Sequence, residues 1–180
     1  MSDGEIIARV GAGDTGAFAE LVRRHQDRVY GMALRTTGKP EDAEDLAQDV
    51  FLSVFRGLAG FKGDAQFTTW LYRIAWNRCA DWLRRNRKPG RRTVPLEEAD
   101  DVADGRADPS AEAVGRDDHR RLRRAIDGLD ERYRSVIELA GVQGMSYAEV
   151  GAALGLPVKT VETRLYRARR QLREQLAAQS

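Results

Sequence analysis

The sequence has a single cysteine, Cys79, and only two histidines, His25 and His119, among its 180 residues. One cysteine can form neither an intramolecular disulfide nor a zinc site built from several thiolates. Neither histidine lies in a motif that would supply a catalytic partner. We therefore expect a protein that is not an enzyme, with no catalytic residues, no cofactor and no bound metal.

Long apolar runs are also absent, since no stretch approaches the roughly 20 apolar residues that a membrane-spanning helix needs. The N-terminal segment MSDGEIIARVGAGD has charge and glycine where a secretory signal peptide has an apolar run. Apolar residues still make up 42% of the chain, which is enough for a core. These features predict a cytoplasmic protein without membrane insertion, folded as one ordinary domain or two small ones.

Strand signals are missing, because apolar and polar residues never alternate over a sustained run. Helical periodicity recurs instead, and the first apolar stripe consists of Phe18, Leu21, Val22, Val29 and Ala33. Pro40 opens a second helix, since its missing N–H is not needed at a helix start. A third helix is predicted from about residue 66 to 87. The fold class that follows is all-α.

Charge is unevenly distributed, although the net charge is only +2. Residues 78–92 hold seven basic side chains and one acidic, residues 95–118 nine acidic and two basic, and residues 119–180 twelve basic and seven acidic. Such blocks favour contact with nucleic acid. The acidic stretch also contains proline and glycine and few apolar residues, which is typical of a tether. We predict two helical domains, residues 1–90 and 117–180, joined by a flexible acidic linker over residues 91–116.

The C-terminal domain has the pattern of a helix-turn-helix. Ser146 and Glu149 have the spacing of a capping box, and Gly155 begins a tight turn between predicted helices at 146–154 and 158–176. The second of these helices carries arginine, threonine and glutamate near its start, residue types that contact base edges in the major groove. From the pattern alone, a structural helical hairpin with a solvated basic face is the alternative.

Aromatic residues make up only 7% of the chain, yet they are concentrated between Phe61 and Trp82, with arginines interleaved. Aromatic faces can stack on unpaired bases while arginines follow the backbone, so this helix predicts contact with single-stranded DNA. Glycines in the preceding loop allow close approach. Some of these aromatics must belong to the core, and we assign Trp76 and Trp82 mainly to packing.

Two blocks carry a family resemblance. Residues 42–85, DAEDLAQDVFLSVFRGLAGFKGDAQFTTWLYRIAWNRCADWLRR, resemble the second conserved region of sigma factors, and residues 146–172, SYAEVGAALGLPVKTVETRLYRARRQL, resemble the fourth. The chain has no room for the third conserved domain of larger sigma factors. It therefore resembles the extracytoplasmic-function (ECF) group. The resemblance implies a monomer that binds core RNA polymerase, reads the −35 and −10 elements of promoter DNA, helps to open the DNA, and is held inactive by an anti-sigma factor.

The resemblance also implies which residues do this. Polymerase docking is implied for Asp45, Leu46, Gln48, Asp49 and Phe51. Contact with the −10 element and its melting are implied for Phe61, Lys62, Gly63, Asp64, Phe67, Trp70, Arg73, Asn77, Arg84 and Arg85. Contact with the −35 element is implied for Ser146, Lys159, Thr160, Glu162, Thr163, Arg164, Tyr166 and Arg167. Glu162 departs from the family pattern, in which a neutral or base-contacting residue is common, so the preferred −35 sequence stays open.

One other class of function also fits part of the chain. A helix-turn-helix repressor or activator, acting without being a polymerase subunit, would have the C-terminal unit. It would not need the aromatic and basic helix around Trp70. The sigma factor is therefore the favoured interpretation and the free-standing regulator is the alternative.

Overall fold

The computed structural model describes residues 1–86 and 121–178. The predicted acidic linker, residues 91–116, lies outside the described residues. Within the two described ranges every regular element is helical, which confirms the all-α prediction for them.

The N-terminal unit is built from four helices. They are α1 (Asp3–Gly11), α2 (Phe18–Thr37), α3 (Pro40–Gly57) and α4 (Phe67–Asn86), with short 3-10 turns at Thr15–Ala17 and Leu58–Gly60. Gly38 ends α2 at a φ of 76°, and Pro40 stands in the first turn of α3 as predicted. Helices α2, α3 and α4 pack on one another around a core of aliphatic side chains, which includes Leu21, Val29, Val50, Val54 and Leu71.

Helix α1 is an element that the periodicity does not predict. Its start is a capping box, in which Glu5 N donates to Ser2 Oγ at 3.3 Å and Ser2 N donates to Glu5 Oε2 at 2.5 Å. Ile6 is fully buried, and Asp3 pairs with His25 of α2 across 2.9 Å. His25 is therefore a partnered residue of the packing between α1 and α2.

The C-terminal unit contains the predicted helix-turn-helix. Its helices are α5 (described over residues 121–127), α6 (Glu131–Val136), α7 (Tyr147–Leu154) and α8 (Val158–Ala177). Ser146 caps α7 in a complete capping box, and Gly155 ends that helix at a φ of 66°. Both features agree with the sequence prediction.

The segment after α6 differs from a simple continuation of that helix. Residues Ile137–Val142 form a π-helical turn, in which Gln143 N donates to Glu138 O at 3.0 Å. Such wide turns are rare and are often found at functional sites. This turn places Glu138 at the boundary between the two units.

The two helical units are in contact. Helix α4 packs against α7, and the buried apolar side chains of both units belong to one continuous cluster. Cys79 of α4 is 1% exposed, and burial raises the pKa of its thiol to about 12. It is therefore a protonated core residue at neutral pH. No helix within residues 1–86 and 121–178 has the length and apolar character to cross a membrane.

Candidate protein and nucleic-acid interfaces

The outer face of α3 carries the acidic residues predicted for protein docking. Asp45, Gln48 and Asp49 are all exposed on the side of α3 that faces away from the core. Phe51 is half-buried, and Leu46 is only 3% exposed. Leu46 therefore anchors α3 in the core, which corrects its assignment as a docking residue.

Two apolar residues that the sequence analysis missed extend this face. Leu52 is 46% exposed and Phe55 is 41% exposed, although both are large and apolar. They lie seven and ten residues after Asp45, so they share its side of the helix. Their spacing from the buried stripe of α3 was the signal that could have revealed them. Below, the exposed residues Asp45, Gln48, Asp49, Leu52 and Phe55 are together called the α3 face.

The start of α4 holds a compact aromatic group. The ring centroids of Phe61 and Trp70 lie 5.2 Å apart, and Phe67 lies 6.0 Å from Phe61 and 5.9 Å from Trp70. Phe67 is 6% exposed, whereas Phe61 and Trp70 are partly exposed. Phe67 can therefore support the other two rings, but it offers no open face to a base.

Gly57, the last residue of α3, leaves room for the ring of Trp70 to pack against the backbone. A Cβ atom at Gly57 would stand 3.2 Å from a ring carbon of Trp70, closer than most real contacts of a Cβ. The ring thus lies directly over the backbone at the end of α3. This contact, together with the two phenylalanines, fixes the ring before any ligand arrives.

Polar and basic side chains surround the aromatic group. Lys62, Gly63 and Asp64 are exposed in the loop before α4, and Gly63 has a φ of 77°. On α4 itself, Arg73 and Asn77 are exposed one and two turns beyond Trp70. The exposed Arg84 and Arg85 continue this side, with Arg84 paired to Asp81 and Arg85 Nε donating to Asp81 O at 3.3 Å. Helix α4 therefore offers an aromatic platform followed by hydrogen-bond donors.

The N-terminal part of α8 carries the predicted base-reading residues. Val161, Leu165 and Ala168 are buried and fix the helix against its own unit. The outward side chains near its start are Lys159, Glu162, Thr163, Tyr166 and Arg167. Thr160 and Arg164 are half-buried. This division matches a recognition helix, with one face in the core and the other free to enter a groove.

The start of α7 presents Ser146 beside the carboxylate of Glu149. Ser146 is exposed, and its hydroxyl donates to Glu149 Oε2 at 2.7 Å. Hydrogen bonds from Ser146 lower the pKa of the Glu149 carboxyl. Glu149 is therefore ionised at neutral pH and holds the Ser146 side chain at the helix start.

Comparison with known proteins shows which family the chain is similar to. The model of sigma-70 region 2 matches residues 21–88, and a model of sigma-70 region 4 matches residues 119–172. The chain is 39% identical to the ECF RNA polymerase sigma factor SigE of Mycolicibacterium smegmatis over 91% of its own length and 63% of that protein. It is 34% identical to the ECF RNA polymerase sigma-E factor of Escherichia coli K12 over 94% of its length and 91% of that protein.

The chain belongs to the ECF sigma factors. Membership of this family supports function as a sigma factor rather than as a free-standing helix-turn-helix regulator. CnrH, solved in complex with the cytosolic domain of CnrY, superposes on this sigma factor with a TM-score of 0.75 at 31% identity, covering 99% of each chain. The sigma factor RpoE of Bartonella quintana, solved with the anti-sigma factor NepR, shares the fold with a TM-score of 0.67 at 24% identity.

The family assigns the two helical units to two regions of sigma factors. The α3 face, the aromatic group and α4 fall within the match to region 2, and α7 and α8 fall within the match to region 4. The structure thus brings the predicted docking and −10 residues together on one unit. It places the predicted −35 residues on the other unit.

Proposed function

We propose that this sigma factor docks on core RNA polymerase through the α3 face, reads the −35 element with α8, and captures an unpaired base of the −10 element on Phe61 and Trp70. The observation that carries the proposal is the aromatic group at the start of α4, continued by Arg73 and Asn77 on the same helix. An aromatic platform beside donors is what single-stranded DNA binding requires.

Binding energy alone can drive the opening of the promoter. Unstacking and unpairing one base costs a few kcal/mol. Stacking of that base on an aromatic side chain returns roughly 1–3 kcal/mol. The sigma factor then contributes binding and performs no chemical step, and the contacts of the polymerase supply the remainder.

The α3 face fits a basic partner surface with an apolar centre. Asp45 and Asp49 can steer the encounter and fix its register, because complementary charge raises association rates and excludes wrong orientations. Leu52 and Phe55 can supply contact area, since exposed apolar residues next to polar ones are typical of protein interfaces. The charged and apolar residues thus serve different parts of one docking step.

An anti-sigma factor is the other partner that we propose. The CnrH and RpoE structures are complexes with CnrY and with the anti-sigma factor NepR, respectively. This chain is similar to CnrH over its full length. We therefore propose that a protein of this kind keeps the sigma factor from the polymerase in the cytoplasm.

Run-off transcription with bacterial core polymerase tests the docking. On DNA from upstream of its own gene, we expect a discrete transcript only when the sigma factor is present. Asp45→Ala/Asp49→Ala should abolish that transcript and weaken binding to core polymerase in a pull-down, because both acidic residues are exposed and lie outside the core.

The matched control for this variant is Asp27→Ala/Glu174→Ala, which removes two exposed carboxylates from α2 and α8. It should transcribe like the original protein. Equal loss in both variants would show a general charge effect and contradict docking through the α3 face. Absence of core binding by the unaltered protein would contradict the proposed function itself.

Leu52→Ser tests the apolar part of the α3 face. We expect roughly a tenfold loss of affinity for core polymerase, because removing a half-buried leucine from an interface costs on the order of 1–2 kcal/mol. The thermal stability of the free protein should change little, since Leu52 is 46% exposed there. Titration of labelled core polymerase measures the affinity, and an unchanged dissociation constant would remove Leu52 from the interface.

A further inference from the structure

Helix α1 lies outside the match to region 2, which begins at residue 21, yet it contacts the segment that leads into the aromatic group. Its side chain Ile6 is fully buried. The helix packs against the 3-10 turn Leu58–Gly60. That turn continues directly into Phe61, whose N–H donates to Leu58 O at 3.1 Å. Helix α1 therefore supports the turn that places the ring of Phe61.

A second contact connects α1 with the aromatic group, through His25 of α2. The ring centroid of His25 lies 5.5 Å from that of Phe67, at an interplanar angle of 57°. Rings with centroids about 4.5–7 Å apart attract each other when they are offset or tilted. His25 is only 8% exposed. The imidazole therefore forms one wall of the site that holds Phe67, against which Phe61 and Trp70 pack.

Asp3 of α1 fixes the orientation of this imidazole. Asp3 Oδ2 lies 2.9 Å from His25 Nε2. A carboxylate accepts hydrogen bonds and donates none, so His25 Nε2 carries the proton in this contact. The other oxygen, Asp3 Oδ1, accepts from Arg24 Nη1 at 3.1 Å, and Arg24 Nε donates to Glu20 Oε1 at 3.0 Å. Because both oxygens of Asp3 are engaged, the carboxylate is restrained, and it restrains the ring of His25 in turn.

The position of Trp70 decides whether a flipped base meets an aromatic face. Phe67 is buried and is the ring that supports Trp70 from the core side. If His25 turned away, Phe67 would lose one wall of its site and Trp70 would lose a fixed neighbour. The rings would then have to be ordered when DNA binds, and such ordering opposes binding through its entropy.

We propose that Asp3 and His25 are positioning residues for base capture at the −10 element, so that α1 takes part in promoter opening. Neither residue needs to touch DNA, because each acts through Phe67 on the ring of Trp70. The inference rests on the base capture proposed above. It deepens that function by assigning a part in it to a helix that precedes the family match.

Fluorine NMR of the free protein labelled with fluorotryptophan tests the positioning without DNA. The chain has three tryptophans, and the resonance that is lost in Trp70→Phe is that of Trp70. We expect Asp3→Ala to shift or broaden this resonance and to leave those of Trp76 and Trp82 in place, because Trp70 is the one that packs on Phe67. Asp3→Asn keeps an acceptor oxygen for His25 and should restore the original resonance.

Arg9→Ala is the matched control for Asp3→Ala. It breaks an exposed ion pair at the opposite end of α1, in which Arg9 Nη2 lies 2.6 Å from Asp14 Oδ2. Its Trp70 resonance should stay unchanged. An unmoved Trp70 resonance in Asp3→Ala would overturn the proposal. An equal shift in Asp3→Ala and Arg9→Ala would show a general loosening of α1 and would also overturn it.

Permanganate reactivity at the −10 element measures the consequence for promoter opening by the complex with core polymerase. Asp3→Ala should lower the population of open complexes by roughly two- to tenfold, the factor that corresponds to one aromatic contact. Its affinity for core polymerase should stay the same, since Asp3 lies outside the α3 face. Asp3→Asn should open promoters like the original protein.

The Trp70→Ala variant separates this inference from the function on which it rests. If Asp3→Ala opens promoters normally while Trp70→Ala does not, the positioning role is overturned and base capture on Trp70 stands. If both variants open promoters normally, the proposed base capture itself fails, and the positioning role fails with it.

Discussion

Trp70→Ala should lower the population of open promoter complexes by roughly 5- to 150-fold, which corresponds to about 1–3 kcal/mol of lost stacking. The ring is partly exposed and held by Phe61, Phe67 and the backbone at Gly57. It is thus positioned before DNA arrives, and the entropy of ordering it is not lost on binding. Permanganate reactivity of unpaired thymines at the −10 element measures the effect.

Trp70→Phe is the matched control for this prediction. Phenylalanine keeps an aromatic face at the same position, so we expect open complexes to fall by a smaller factor than in Trp70→Ala. Both variants should bind core polymerase normally, because Trp70 lies outside the α3 face. If Trp70→Ala opened promoters as well as the original protein, the flipped base would not be captured here, and Phe61 with the loop residues would be the remaining candidates.

The sequence predicted those parts of the fold whose signals are local. Helix starts at Pro40 and Ser146 and the turn at Gly155 each follow from the preference of one or two residues, and the structure has all three. The exposed acidic side of α3 follows from helical spacing in the same way. Helix α1 was missed although its capping box is local, because its short apolar pattern, centred on Ile6, is flanked by glycines.

The parts that the sequence did not predict depend on contacts between distant residues. Arg35 and Glu138, which form an ion pair, are 103 residues apart, and no local pattern links them. The burial of Phe67 results from packing against Phe61 and His25, and the burial of Leu46 results from its place on the core side of α3. A family motif assigns one function to every residue in a stretch of sequence. The burial of each side chain shows which of these residues can contact a partner and which only support their neighbours.

Gly151→Ala should destabilise the helix-turn-helix. A Cβ at this position would stand 2.7 Å from the carbonyl oxygen of Leu156, a backbone atom of the turn between α7 and α8. That turn is itself tied to the same residue, because Leu156 N donates to Gly151 O at 2.9 Å. Alanine is favoured over glycine inside a helix by roughly 0.5–1 kcal/mol. Overpacking typically costs 1–3 kcal/mol, and we expect it to outweigh that gain here.

The consequence reaches DNA binding, because relief of the contact must move the turn that sets α8. We expect the unfolding midpoint of Gly151→Ala to fall by several degrees and its affinity for the −35 duplex to fall by roughly tenfold, the equivalent of about 1.4 kcal/mol. Gly141→Ala is the matched control, since a Cβ there meets only Ile137 Cγ2 at 4.0 Å. Thermal unfolding and DNA titration compare the two variants. If the two variants had the same unfolding midpoint and the same DNA affinity, the turn would accommodate a methyl group at residue 151. The position of α8 would then not depend on the close approach at Gly151.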